Sequence, residues 1–555
     1  MHPELKKYNL LFVSDLHLSE GVRSQSKKYS LKEDFFFDRQ FARFLSYYRS
    51  PCFARERKWH LVILGDCLDL LQVTAYQDAP LGLRSRCQNP QYGLDCGEQE
   101  AIYKVGKIAE GHKEFFEALA GFVADGNLLT IIKGNHDVEF HYPAVREKFL
   151  QLLKDVFGGT QSTQTVPETA QKAANINSDS VLFSDWFYYE DKLLWVEHGN
   201  QYDETNAFKY YLSPLLPTIA GWPPERQDEI DLPLGSLFVR YLFNTIEEVE
   251  PFADNIKPQI EFLRWLLKKH PATALRFAVS DGAFMLRKLR RAWTAPEPDS
   301  YRCREEEHNA KLSQLAVEWA IEEPGLQAVS GSRARSVLKE TSSLKWKIIR
   351  GILRWRLLRP LLLATAVLIV ISGVVAMAPV LAAVLPQAIR SLVWDRWVAG
   401  SAGPIIKAAV SVIRWLIFPI VVLAAGFWLH WLFSQEQEKK PSALASSARE
   451  IARRLGVRYV IMGHTHDADL QSIGSNGEEY FNTGTWTKVF SEEERLIRAD
   501  VEFVFIQGLR RGDGLQLKLM EWDDDAQEPR LLKLFEGEGD IGRLPRARTP
   551  RRKAA

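Results

Sequence analysis

A chain of 555 residues is too long for one hydrophobic core and implies two or more folded units. Its 46% hydrophobic and 25% charged content is that of a globular protein, and a net charge of +1 excludes bulk charge as a signal for nucleic acid. Five cysteines (Cys52, Cys67, Cys87, Cys96 and Cys303) are odd in number and unpatterned, which fits a reducing compartment better than a disulfide scaffold. Cys87 and Cys96 are expected as free thiols, since no CxxC spacing is present.

In chain order, Tyr8–Ser14 is a short apolar run that ends in Asp15-Leu16-His17. It is too short for the apolar core of a signal peptide and predicts a strand, with the N-terminal half expected in the cytoplasm. Trp59–Leu64 ends in Gly65-Asp66-Cys67-Leu68-Asp69, and Leu128–Lys133 ends in Gly134-Asn135-His136-Asp137. Leu193–Glu197 ends in His198-Gly199-Asn200, and Val457–Met462 ends in Gly463-His464-Thr465-His466. Each run is apolar and partly β-branched, with polar residues at its carboxyl end, which is how an α/β sheet presents ligands to a crevice. Glu98–Val123 carries apolar residues at helical spacing, and Ser446–Leu455 predicts a helix before the last of these strands. Glu479–Asn482, Val501–Ile506, Leu515–Glu521 and Arg530–Phe535 predict further strands between Gly and Asp turns.

Carboxylate oxygens and neutral imidazole nitrogens suit hard and borderline divalent metals. A metal pair can generate hydroxide and clamp a phosphoryl oxygen. Taken singly, Asp-x-His and Gly-Asp after a strand are usually turns and a lone His198 an ordinary polar residue, while Gly-Asn-His-Asp and Gly-His-Thr-His are moderately specific; five in order, each at a strand end, are a strong joint signal. In this order the motifs resemble the signature of the calcineurin-like metallophosphoesterases, over roughly 1–203 and 446–535. The resemblance implies an α/β fold of αββα-sandwich type, and hydrolysis of a phosphomonoester, phosphodiester or pyrophosphate by a metal-activated water. It implies two divalent ions, Mn²⁺ first, with Fe, Zn, Ni or Mg as alternatives. Asp15 and His17 would hold the first, with His466 as its far ligand; Asp66 would bridge; Asn135, His198 and His464 would hold the second. His136 would bind the phosphate and protonate the leaving oxygen, with Asp137 orienting it. Asp69 either supports the metal shell or caps a helix. Asp203 shapes the substrate mouth or is a turn residue, and Asn482 returns to the pocket or is a turn between strands.

An insertion separates His198 from His464. Residues 204–343 are helical in pattern and aromatic, and predict a cap or a membrane-proximal layer. A basic flank, Lys345–Arg359, precedes the nearly uncharged Leu361–Leu385; a second apolar stretch is Trp415–Phe433. Both approach or exceed the roughly 20 residues that cross a bilayer, so 344–435 predicts a transmembrane hairpin. The basic flank orients it with both termini and the phosphoesterase domain in the cytoplasm, and two spans are what let Asp15 and His466 share one compartment. Residues 536–555 are a basic tail, expected to be disordered and solvated, so nucleic acid is not an expected partner. The expected partners are the bilayer and a phosphoester, which a membrane-tethered site would meet as a lipid-linked molecule. Soluble nucleotides, phosphoproteins or nucleic acid are the alternative substrates, and a non-catalytic scaffold is the alternative role. The start Ser14-Asp15-Leu16-His17-Leu18 and the His198-Gly199 pattern also resemble bacterial UDP-diacylglucosamine pyrophosphatases, except that His136 stands where those enzymes typically carry Arg.

Overall fold

A computed structural model describes residues 3–23, 27–50, 57–86, 92–158, 167–217, 229–244, 301–334, 336, 442–488, 490–491, 496–497, 501–512 and 514–533. Contacts divide the chain into a unit of residues 1–257, 294–339 and 439–555 and a second of 258–293 and 340–438; every described residue lies in the first. The two expected spans, their basic flank and the basic tail lie outside the described residues. Among the described residues no helix is long and apolar enough to cross a membrane.

The described unit is mixed α/β, with two mixed sheets. Its strands are β1 (Asn9–Val13), β2 (Trp59–Leu64), β3 (Leu128–Ile132), β4 (Val181–Ser184), β5 (Phe187–Glu190), β6 (Leu194–Glu197), β7 (Tyr459–Met462), β8 (Ala468–Ser472), β9 (Glu479–Thr483), β10 (Phe490–Ser491), β11 (Leu496–Ile497), β12 (Val504–Arg511), β13 (Gly514–Asp523) and β14 (Glu528–Leu531). One sheet has the order β14-β13-β12-β1-β2-β3-β4 and the other β5-β6-β7-β9-β8; β10 and β11 pair separately. β1 to β4 run parallel, as do β6, β7 and β9. Parallel neighbours bring their carboxyl ends to one edge, and the motifs follow β1, β2 and β3 in one sheet and β6 and β7 in the other.

Alternation along the strands builds the two apolar layers. Leu10 and Phe12 of β1, Val62 and Leu64 of β2, Val196 of β6 and Ile461 of β7 belong to one buried cluster drawn from both sheets. Leu11, Val13, Leu61 and Ile63 point the other way, into a cluster with Phe41 and Phe44 of the helix Asp38–Arg49 and Phe115 and Leu119 of the helix Lys113–Ala124. The same cluster includes Val460 of β7 with Ala448 and Ile451 of the helix Ser442–Leu455. Burying the sheets on both faces explains why their strands read as continuous apolar runs.

The pattern over Glu98–Val123 is two helices, Glu98–Gly111 and Lys113–Ala124, broken at His112 (φ −114°, ψ 44°). His112 is fully buried, with Nε2 3.1 Å from Glu33 and Nδ1 3.1 Å from Asp38. Two tertiary carboxylates hold the imidazole at the break, where apolar spacing alone runs through. In the insertion, the described residues are ordered against the core. Tyr211 packs at Lys133, whose Nζ donates 2.9 Å to the Tyr211 carbonyl, and Asn244 Nδ2 donates 2.8 Å to Leu71 O. The helices Arg302–Glu318 and Glu323–Gly331 follow. The cap segments beyond these lie outside the described residues. Cys67, Cys96 and Cys303 are free, and Cys52 and Cys87 lie outside the described residues.

Candidate metal centre

The strand ends turn sharply at the site. Asp15, His17, Asp66, His464 and His466 all have left-handed backbones, with φ between 50° and 71°. That conformation costs non-glycine residues about 1–3 kcal/mol each and persists only where surroundings enforce it. Here the enforcement is backbone pairing: Leu16 and His17 both donate to Asp66 O at 2.9 Å, and Gly463 donates to His198 O at 2.9 Å. Gly134 is required by close approach, because a Cβ there would run into the Asp66 carboxylate and backbone nitrogen.

These turns bring the expected ligands together. Asp15, His17 and His466 form one group whose ligand atoms lie within 4.8 Å of one another, and Asp66, His198 and His464 form another. His466 Nε2 is 3.3 Å from Asp15 Oδ1 and 3.2 Å from His17 Nε2. Asp66 Oδ2 is 3.1 Å from His198 Nε2 and 3.9 Å from His17 Nε2, so this carboxylate stands between the groups. Asn135 Oδ1 is 3.2 Å from His198 Nε2, and the other nitrogen of that ring lies 2.7 Å from Leu64 O. His464 Nε2 is 3.2 Å from Asp203 Oδ2, leaving Nδ1 for a ligand. Asp203 is itself held by Thr205 N and Asn206 Nδ2 at 2.9 and 2.7 Å, so it acts as an orienting carboxylate.

His17 also belongs to a third group, with Asp69 and His136. Asp69 Oδ2 is 2.6 Å from His136 Nδ1 and 3.4 Å from His17 Nδ1, while its Oδ1 accepts from Leu71 N and Gln72 N at 3.1 and 3.0 Å. One carboxylate therefore fixes two imidazoles and leaves both Nε2 atoms for other partners. This corrects the expected partner of His136. The carboxylate on that ring is Asp69, whereas Asp137 turns back into its own loop and accepts from Gly134 N at 2.6 Å and Cys67 N at 2.8 Å. The turn from Gly134 closes on Asp137, whose two carboxylate oxygens are taken up by these backbone donors.

Asn482 does not line the ligand cluster as a donor. Its Nδ2 donates to Gly463 O at 2.9 Å and Thr465 Oγ1 at 3.2 Å, bracing the loop that carries His464 and His466. Sequence reasoning missed Ser14 and Thr485. Ser14 Oγ donates to Asp15 Oδ2, and Thr485 Oγ1 donates to the Asp15 carbonyl at 2.6 Å. The hydroxyl-rich Thr483-Gly484-Thr485 run at the end of β9 was the available signal.

The electrostatics are those of buried carboxylates balanced by imidazoles. Burial works against ionised Asp15, but hydrogen bonds from His17 and His466 hold it well below the usual carboxylate range. Burial opposes charge on Asp66 too, and His198 and His136 outweigh it. Burial disfavours charge on His198, but Asp66 raises it to about 9. Burial and the Asp66 charge push Asp137 up to about 7. The donor set of carboxylates, an amide oxygen and imidazoles fits divalent metal. One further observation agrees: the His17 and His466 nitrogens face each other at 3.2 Å, which a shared cation would reconcile. No protein-family model matches the chain, and no curated protein matches it.

Proposed function

We propose that the chain is a dinuclear-metal phosphoesterase of the calcineurin-like type, its two mixed sheets forming the αββα sandwich of that family. The observation that carries this reading is the convergence of Asp15, His17, Asp66, His198, His464 and His466, from four strand ends of two sheets, onto two adjoining ligand groups. Asp15, His17 and His466 would hold one ion, Asn135, His198 and His464 the other, and Asp66 both. Bound ions would lower the pKa of an attacking water and polarise the phosphoryl oxygens.

The rest of the chemistry falls to the protein. His136 lies beside the cluster with Nδ1 held by Asp69, so Nε2 is the nitrogen that meets a substrate oxygen. Burial disfavours its cation, but Asp69 and Asp66 raise its pKa, the direction that suits a ring donating a proton to a departing alkoxide. Asp69 holds the tautomer and the ring plane. Asp203 does the same for His464, and Asn482 fixes the loop that bears both terminal imidazoles.

The same proposal places the site at a bilayer and favours a lipid-linked phosphoester. Its support is the pair of apolar stretches over 361–385 and 415–433 and the basic Lys345–Arg359 before them. The test of the activity uses purified full-length chain in detergent, stripped with chelator, and a generic aryl phosphodiester. Hydrolysis is expected to be absent from stripped protein and restored by Mn²⁺. A chain that stays inert with every divalent ion supplied would refute the enzymatic reading.

A further inference from the structure

The carboxylate that fixes His136 is itself held through two consecutive peptide groups. Asp69 Oδ1 accepts from Leu71 N at 3.1 Å and from Gln72 N at 3.0 Å, while Oδ2 faces His136 Nδ1 at 2.6 Å. A trans peptide points its N–H and C=O in opposite directions from one rigid plane. The carbonyls behind these two N–H groups are those of Leu70 and Leu71, and each meets a side-chain donor. Lys104 Nζ donates 3.0 Å to Leu70 O, and Asn244 Nδ2 donates 2.8 Å to Leu71 O. Lys104, Asn244 and Asp69 are all buried. Two hydrogen-bonded chains therefore run from a buried donor, through one peptide each, to the same carboxylate oxygen.

The donors come from different parts of the sequence. Lys104 lies on the helix Glu98–Gly111. Asn244 belongs to the insertion and directly follows the π-helical turn Val239–Phe243, a widened turn frequent at functional sites. Arg240 ties that turn down, with Nη2 donating 2.8 Å to Leu94 O and 2.7 Å to Asp95 Oδ1. Turning either peptide would swing its N–H away from Asp69 and free the carboxylate to rotate off the His136 ring. Hydrogen bonds in series also polarise one another, so each side-chain donor strengthens the N–H that Asp69 receives.

We propose that Asn244 and Lys104 are positioning residues for proton donation by His136, acting through the Leu70 and Leu71 carbonyls and Asp69. The inference rests on the phosphoesterase reading, in which His136 protonates the leaving oxygen. It gives the inserted segment a part in the chemistry, because the alignment of the acid then depends on Asn244 being docked at Leu71.

The test is steady-state hydrolysis by the Mn²⁺-loaded full-length chain in detergent, on aryl methyl phosphodiesters that release p-nitrophenol or unsubstituted phenol. Nitrophenolate departs readily as an anion, whereas phenolate draws more help from an acid. Asn244→Ala and Lys104→Met should each lower kcat for the phenyl ester about tenfold or more beyond any loss on the nitrophenyl ester, with KM and metal content little changed. His136→Ala should show the same tilt, and Asn244→Ala placed in Asp69→Asn should add little further loss. Lys104→Met keeps the length of the side chain and is the second arm should Asn244→Ala not fold. Losses equal for the two leaving groups, no loss in the folded variants, or full additivity with Asp69→Asn would overturn the assignment. An unaltered chain inert toward both esters fails the phosphoesterase reading itself, and this inference with it.

Discussion

At the scale of single residues, the site turns on how carboxylates divide between ions and rings. Asp66 is the carboxylate between the two ligand groups, and Asp69 is the one that fixes His136 and His17. These roles separate in mutants. His136→Ala should keep metal content and lose turnover by about 10²–10⁴-fold, because it removes proton donation and leaves the ligand groups whole. Asp69→Asn should reduce turnover by about 10–100-fold, through loss of ring orientation. Metal content measured beside turnover checks both; loss of metal from His136→Ala would place that residue among the ligands. The ligand residues themselves were legible in sequence, because each lies just past the carboxyl end of a short apolar run. The partner of His136 was not. Asp137 is its neighbour in sequence, but a neighbour's side chain in a tight turn is directed by the backbone, and Asp69 reaches the ring from the adjacent strand end.

At the scale of elements, the turns after β2 and β3 are tied together by Asp137, which takes N–H groups from both. Asp137→Ala would leave those donors buried and unpaired, at about 1–3 kcal/mol each. A lowered denaturation midpoint is the expected outcome, where Asp69→Asn should stay near the unaltered chain. The break between the helices Glu98–Gly111 and Lys113–Ala124 yields a pH prediction. Burial alone would suppress the His112 cation, but Glu33 and Asp38 raise its pKa to about 10, from an ordinary 6.5. A raised folded-state value means the contribution is complete below pH 6.5 and is lost as pH rises through about 10. The stability gap between the unaltered chain and His112→Gln should therefore be widest near pH 6 and shrink toward pH 10 in denaturant titrations. A gap that widens with pH would contradict a buried imidazolium. Strands that are apolar throughout were legible; β8, with its polar Asp469 and Gln471, and the short β4 and β5 were not, since an edge strand needs no apolar face pair to be held by its neighbour.

At the scale of the whole molecule, a single ligand cluster is assembled from segments more than 440 residues apart, Asp15 and His466. The insertion between them is where a bilayer tether is proposed. Replacing 345–435 by a flexible linker should leave hydrolysis of a small soluble diester intact and sharply lower hydrolysis of a bilayer-embedded substrate; equal activity on both would count against the lipid-linked substrate. The central claim is the metal pair. The most direct measurement is elemental analysis of purified, Mn²⁺-loaded chain beside Asp66→Asn and His136→Ala. Two ions per chain are expected in the unaltered protein and in His136→Ala, with clear loss in Asp66→Asn, where the charge between the ligand groups is gone. Stoichiometry near zero in the unaltered chain, or unaffected by Asp66→Asn, would contradict it.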